Sequence, residues 1–257
     1  MAKVILITGA SAGIGREMAL QFARRGDHVI ATARRLDRLE TLAQEAASLA
    51  GKIIPVEADV LNPADLQKAV DAADAQFGRL DIVIANAGLG QRGAIVDSAW
   101  EDVEAVLRIN VEGALHTIRA AVPLLRKSGG GHIVMISSVL SLATGPYCAV
   151  YSAAKATINA LARGLRVELR ADHIWVTNVL LGQTHSEFAQ VRRGQAGRVA
   201  SKLPTMSAEY AASQIVRATD QRRRTITLRL IDRLIMWMGI FVPWISDRVL
   251  ERFYKPH

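Results

Sequence analysis

The chain reads as one α/β domain: a doubly wound parallel sheet of about seven strands with helices on both faces. Three observations carry that expectation. Short apolar runs alternate with helical patterns from end to end. Several runs, such as Ile82-Val83-Ile84 and Ile133-Val134-Met135-Ile136, are apolar at consecutive positions, as strands buried on both faces are. The first strand runs straight into a glycine turn and then a helix, the start of a βαβ unit. Half of the 257 residues are hydrophobic, enough for a large core, and no Pro/Ser linker, repeat or low-complexity tract divides residues 1–257.

Strands are expected near 3–8, 28–32, 52–57, 81–85, 132–137, 173–180 and 225–228. Helices are expected over 14–25, 36–50, 64–77, 99–126, 152–170 and 208–222. Lys3-Val4-Ile5-Leu6-Ile7-Thr8 is the first strand, and Gly9-Ala10-Ser11-Ala12-Gly13-Ile14-Gly15 the turn. Glycine permits positive φ and close backbone approach there. The helix that follows offers free N–H groups and positive dipole character to a pyrophosphate, and Gly26 stops it. Asn62-Pro63-Ala64-Asp65 begins the third helix. Ligands of such sheets bind beyond the carboxyl ends of the strands. Gly9, Asp59, Asn86, Ser137 and Ser138 all fall at or just after strand ends, so they are expected to converge on one crevice.

Tyr151-Ser152-Ala153-Ala154-Lys155 places a phenol and an ammonium four residues apart, one above the other on a helix. A cation beside a phenol favours phenolate, so Lys155 is expected to lower the Tyr151 pKa and fit it for proton transfer. Thr8-Gly9-x-x-x-Gly13-Ile14-Gly15, Asn86-Ala87-Gly88, Ser138 and Tyr151-x-x-x-Lys155, in that order, together resemble the short-chain dehydrogenase/reductase family. The likeness runs from about residue 3 to residue 188, and Ser138 precedes Tyr151 by the family's usual thirteen positions.

The resemblance implies a Rossmann-like fold and an oxidoreductase that interconverts a carbonyl and an alcohol. Tyr151 would exchange a proton with the substrate oxygen, and Ser138 would hold that oxygen. Lys155 would tune the phenol and hold the nicotinamide ribose, and Asn110 would position a water in a proton relay. The glycine loop (Gly9, Ser11, Gly13, Ile14, Gly15), Asp59, Val60, Asn86, Ala87 and Gly88 would contact the dinucleotide, with Asp59 and Val60 near the adenine. Ser137 and Tyr147 compete with Ser138 and Tyr151. The thirteen-residue interval selects Ser138, and Tyr147 has no lysine four positions later, so it lines the substrate pocket or simply packs. Asp59 can instead serve a turn, and Asn110 can be an internal hydrogen bonder.

NADP(H) is the expected cofactor. An NAD site usually carries an acid about twenty residues past the glycine loop to hold the ribose 2′-hydroxyl. Positions 30–36 have none, and Arg34 and Arg35 stand there instead, suited to a 2′-phosphate. Ala12 supplies no basic residue inside the loop, and Asp37, the acid that would favour NAD, falls in the following helix.

Two other positions depart from the family pattern. Ala85 replaces the Asn that usually precedes Asn86-Ala87-Gly88, and Leu181-Gly182 stands where Pro-Gly is usual, which would loosen the loop over the nicotinamide. Ser186-Glu187-Phe188 resembles the hydroxyl-bearing triplet that commonly follows, and residues 186–205 suit a substrate lid. Val139, Leu140, Leu142, Ala143 and Tyr147 favour a largely apolar substrate.

The formal charge of +8 suits an anionic cofactor, and no finger, basic zipper or stacking platform points to nucleic acid. The six histidines lack ligand spacing, so no metal site is indicated. A single Cys148 suits a reducing cytosol, and a strand at the very start leaves no room for a signal peptide. The apolar tail, 229–257, carries Leu234–Ile245 between arginines. It is too short to span a bilayer. Subunit or pocket packing, in a homodimer or homotetramer, is the first expectation for it, and membrane-surface attachment the second. The rival overall readings are a non-enzymatic cofactor-binding regulator and a peripheral membrane protein.

Overall fold

The computed structural model describes residues 2–194, 204–245 and 247–248. Residues 195–203 of the expected lid and 246 and 249–257 of the tail lie outside the described residues.

Seven strands form the central sheet: β1 (Val4–Thr8), β2 (His28–Ala33), β3 (Ile53–Glu57), β4 (Ile82–Ala85), β5 (Gly131–Ser138), β6 (Ile174–Leu181) and β7 (Thr225–Thr227). They lie in the order β7-β6-β5-β4-β1-β2-β3, and every pairing is parallel. The winding runs outward from β1 to β3 and then restarts at β4 on the other side. This puts a topological switch point between β1 and β4, where such sheets take their ligands. The principal helices are α1 (Gly13–Arg24), α2 (Leu36–Glu45), α3 (Pro63–Phe77), α4 (Trp100–Leu107), α5 (Gly113–Lys127), α6 (Ala149–Glu168), α7 (Ala208–Gln221) and α8 (Leu230–Phe241).

Strand alternation divides the core into two layers. Ile5 and Ile7 of β1 face Met18 and Phe22 of α1, Leu39 and Leu42 of α2, and Ala211 and Ile215 of α7. Val4 and Leu6 face the other way, towards Ala69 and Ala73 of α3, Ile118 and Ala121 of α5, and Ile158 and Ala162 of α6. Both faces of the sheet are therefore covered, which is why its strands read as unbroken apolar runs.

The expected helix over 99–126 is present but not uniform. A π-turn, Arg108–Glu112, separates α4 from α5, and such single-turn widenings recur at functional sites. Thr117, four residues after Gly113, bonds back to the Gly113 carbonyl at 2.7 Å. The second helix ends at Glu45 rather than 50, and residues 46–50 continue as turns.

The tail folds back onto the sheet. Asp232 at the start of α8 is 2% exposed and receives a two-pronged bond from Arg229, at 2.9 and 2.7 Å. A side chain at Gly182 would collide with that carboxylate, and one at Gly239 would lie 2.6 Å from the Ala143 methyl. The tail thus packs against the segments that follow β5 and β6.

At the amino-terminal end of β5, His132 is buried, with Nδ1 3.2 Å from the Thr219 carbonyl and Nε2 2.7 Å from the Thr177 hydroxyl. Burial, assisted by the cations Arg222 and Lys3, drives its pKa down from 6.5 to about 4. The unfolded chain therefore takes up this proton first as pH falls. The stability due to neutral His132 is complete above pH 6.5 and lost between pH 6.5 and about 4, a loss on the order of 3 kcal/mol. Melting curves at pH 7 and 4.5 should show a smaller acid-induced drop in Tm for His132→Asn than for the wild type.

Candidate active site

The carboxyl ends of β1 and β4 are stapled together. The buried Thr8 hydroxyl accepts from the backbone N–H groups of Asn86 and Ala87, both at 3.1 Å. The Asn86 side-chain amide donates to the carbonyls of Thr8 and Gly9, at 2.9 and 3.2 Å. Gly9 turns with φ 69°, and a Cβ there would lie 2.9 Å from the Ala87 Cα. A side chain at Gly15 would strike the Gly9 carbonyl, so α1 begins hard against the turn. Ala12 at its N-cap makes no side-chain hydrogen bond. The first-turn N–H groups and the helix dipole are thus left to an anion. Ile14, by contrast, faces the core.

At the end of β2, Arg34 is exposed, whereas Arg35 reaches back to the glycine loop and donates to the Ser11 hydroxyl at 3.1 Å. Arg38, one turn into α2, holds both carboxylate oxygens of Glu187, at 2.9 and 2.7 Å, and Arg35 approaches the same carboxylate at 3.5 Å. These guanidinium groups hold the Glu187 carboxyl below the usual range, Arg38 foremost. Asp59 and Val60 sit at the same sheet edge, beyond β3, and both have structural work. The Asp59 carboxylate accepts from the Leu61 N–H at 2.9 Å, and the Val60 methyls pack where a Gly113 side chain would be.

Ser138, Tyr151 and Lys155 meet beyond β5. Ser138 ends that strand, with its hydroxyl 3.3 Å from the Leu181 carbonyl and near enough to the Tyr151 phenol to favour its ionised form. Tyr151 and Lys155 are stacked on α6, with the ammonium 5.9 Å from the phenol ring centre. Lys155 donates to the Ile136 carbonyl at 2.9 Å. The expected lysine-driven lowering of the phenol pKa is not what this arrangement produces. Burial pushes Tyr151 up to about 12, with Ser138 opposing it, and burial pulls Lys155 down to about 8. Loss of hydration outweighs an attraction that acts across the ring face rather than at the hydroxyl.

The π-turn delivers Asn110 to this cluster. Its amide nitrogen donates to the carbonyls of Leu89 and Val106, at 2.7 and 2.8 Å. That fixes the other end of the amide. Asn110 Oδ1 is buried without a hydrogen-bond partner and lies 2.8 Å from where a Gly88 Cβ would stand, with Lys155 Nζ 3.4 Å from the same point. An unmatched buried acceptor costs about 1–3 kcal/mol, and the amide is held in that orientation by its other end.

Several contributors escape a reading of the motifs. Asn159 lies one helical turn beyond Lys155. Its Oδ1 accepts from Ser137 at 2.7 Å and Asn178 at 2.8 Å, and its nitrogen donates to Ser141 at 2.7 Å. Ser141 in turn donates to the Ser138 carbonyl at 2.5 Å, so this network holds the loop that carries Ser138. A polar residue four positions after Lys155 on a mostly apolar helix face was the available signal. Tyr147, at φ 61°, is a non-glycine residue in the left-handed region, and its carbonyl accepts from the Gly93 N–H at 2.8 Å. Backbone strain of this kind concentrates at functional sites.

The segment after β6 spans the crevice. A Gly13 Cβ would lie 3.2 Å from the Ser186 Cβ, Glu187 grips Arg38, and the Phe188 ring tilts over Tyr151 at 5.9 Å. Glycine cradle, open helix end and buried polar cluster therefore share one crevice. They fit an extended dinucleotide, with the glycine turn and the open helix end free to receive its phosphates.

Known proteins agree with this geometry. The 11-beta-hydroxysteroid dehydrogenase 1A of Arabidopsis thaliana is 36% identical over 243 residues, covering 88% of this chain and 68% of that protein. A short-chain dehydrogenase from Sphingobium yanoikuyae, solved in complex with NADPH, superposes with a TM-score of 0.79 at 32% identity, covering 95% of each chain. A short chain dehydrogenase/reductase from Burkholderia phymatum, solved with NAD, superposes with a TM-score of 0.84 at 25% identity, covering 100% of this chain and 97% of that one. The family model for short chain dehydrogenases matches residues 3–196, and the chain belongs to that family of oxidoreductases.

Proposed function

We propose that this oxidoreductase is NADP(H)-dependent and interconverts a ketone or aldehyde and an alcohol on a largely apolar small molecule. The meeting of Ser138, Tyr151 and Lys155 beside the glycine cradle is the observation that carries the reading. The nicotinamide, when bound, supplies hydride to a carbonyl carbon or accepts it from an alcohol. The chain's own residues handle the oxygen. Ser138 donates a hydrogen bond to it, and Tyr151 gives up its phenolic proton as negative charge develops there. The resulting phenolate is stabilised by Ser138 and the Lys155 ammonium. Lys155 then returns a proton to Tyr151 and is resupplied from solvent through a water held at Asn110 Oδ1. In the oxidative direction each proton moves the other way.

Burial explains why a partner is needed at each step. A phenol pushed up to about 12 holds its proton firmly, so it acts as an acid only towards a strong base such as a nascent alkoxide. A lysine lowered to about 8 can release and regain a proton near neutral pH. The apolar side chains of Val139, Leu140, Leu142, Ala143 and Tyr147 between Ser138 and Tyr151, with Phe188 tilted over Tyr151, support an apolar substrate. Arg35 beside the glycine loop supports NADP(H). Gly9, Ser11, Gly13, Gly15, Asn86, Ala87 and Gly88 would line the dinucleotide's path.

We propose that α8 is a subunit contact in a homo-oligomer. Leu230, Leu234, Trp237 and Phe241 stand exposed on it, at 72%, 53%, 49% and 61%. Large apolar side chains exposed together on one helix suit a protein–protein contact. Among the described residues no helix is long and apolar enough to cross a membrane.

Tyr151→Phe should lower NADPH-linked turnover of a carbonyl panel by about 10²–10⁴-fold, with the NADPH Kd changed only a few-fold in a fluorescence titration. Retained turnover would remove Tyr151 from the reaction. The wild type should bind NADPH at least about tenfold more tightly than NADH, and equal Kd values would count against the arginines as a phosphate site. In sedimentation velocity, Trp237→Glu/Phe241→Glu should shift an oligomer towards monomer; an unchanged oligomer, with lost binding to anionic vesicles instead, would assign α8 to a membrane surface.

A further inference from the structure

We propose that Glu187 is a built-in competitor for the adenosine 2′-phosphate, and that Arg38, rather than Arg34, is the principal guanidinium for which the two compete. The inference rests on the NADP(H) reading above and assigns cofactor specificity to two residues given no such role there.

A cleft of about 210 Å³ opens beside the glycine loop, lined by Ser11, Ala12, Gly13, Arg38, Thr41 and Glu187 among others. It adjoins the end of β2, where a sheet of this winding places the adenosine ribose. Arg16, also in its wall, is already paired with Glu45 and, at 3.6 Å, with Glu17. Arg34 and Arg35 are both exposed, and Arg35 and Arg38 are the two that reach Glu187 in the cleft wall. Their two positive charges match a phosphate monoester of about −1.5 to −2.

The Glu187 carboxylate now occupies both guanidinium groups. Its contact with Arg38 uses two oxygens at 2.9 and 2.7 Å, the geometry in which Arg also takes a phosphate. All three side chains are about two-fifths exposed, so no desolvated core locks the pair and another anion can exchange for the carboxylate. A 2′-phosphate brings more charge and a third acceptor oxygen, with the Ser11 hydroxyl within reach of the same Arg35. A 2′-hydroxyl brings no charge and cannot displace the carboxylate. Glu187 therefore weakens binding of the phosphorylated dinucleotide while leaving NAD(H) nearly untouched, and it sets how strongly the site discriminates.

The test is calorimetric titration of the full chain with adenosine 2′,5′-bisphosphate, NADPH and NADH, for the wild type, Glu187→Gln, Glu187→Ser, Arg38→Gln and the double variant Glu187→Gln/Arg38→Gln. Melting curves would establish folding of each. Glu187→Gln and Glu187→Ser should tighten the bisphosphate and NADPH by roughly three- to tenfold, and change NADH less than about twofold. Arg38→Gln should weaken the bisphosphate by about tenfold or more. In the Arg38→Gln background the benefit of Glu187→Gln should largely vanish, since the competitor acts through that guanidinium. Unchanged or weaker bisphosphate binding in both Glu187 variants would overturn the proposal, as would NADH binding lost along with the carboxylate. A wild type that prefers NADPH but does not respond at Glu187 defeats this inference alone. No measurable bisphosphate binding in the wild type or in either Glu187 variant defeats the NADP(H) reading with it.

Discussion

The Asn86 side-chain amide, bonded to the carbonyls of Thr8 and Gly9, is the contact on which the arrangement of the crevice depends. A parallel sheet splays at its switch point, because the chain leaves β1 to one side and returns to the other. Here that gap is held by a threonine hydroxyl and an asparagine amide, with glycines at 9 and 15 letting backbone approach backbone. The glycine turn and the buried polar cluster beyond β4 and β5 are placed relative to each other through this one junction. Their separation is a property of the sheet, not of the loops above it.

Desolvation governs the chemistry inside. Tyr151 and Lys155 are both taken out of water, and burial moves them in opposite directions, the acid weaker and the base weaker. Their ordinary values of 10.0 and 10.5 nearly coincide, whereas in the fold the lysine gives up its proton far more readily than the phenol. In the proposed reaction, a proton passed from Tyr151 to the substrate would be replaced from Lys155. This ordering fits a relay better than a simple cation that ionises its neighbour.

The fold was legible in the sequence because a fully covered parallel sheet writes itself as consecutive apolar residues, and because glycines mark where backbone must approach backbone. All seven strands stand at the positions expected for them, and the helix over 152–170 shows through its own helical spacing. Ser138, Tyr151 and Lys155 were legible because their spacing is local or fixed by one strand and one helix. Glu187 on Arg38 was not: the two stand 149 positions apart, and no periodicity relates them. The widened turn at Arg108–Glu112 was hidden for a different reason. A helix with one extra residue in a turn has nearly the same apolar pattern as one without. The sign of the phenol shift was missed because a sequence displays the neighbouring charge but not the depth of burial that outweighs it.

Gly182 and Asp232 form a pair with its own history to expect. The two sit against each other with room for hydrogen alone at 182, and Asp232 in turn is committed to Arg229. Any replacement at 182 evicts the carboxylate, and a bulkier residue at 232 is excluded unless 182 stays bare. Among relatives that share this tail the two sites should drift as a couple, while lineages with a different terminus are released to place other residues on that loop.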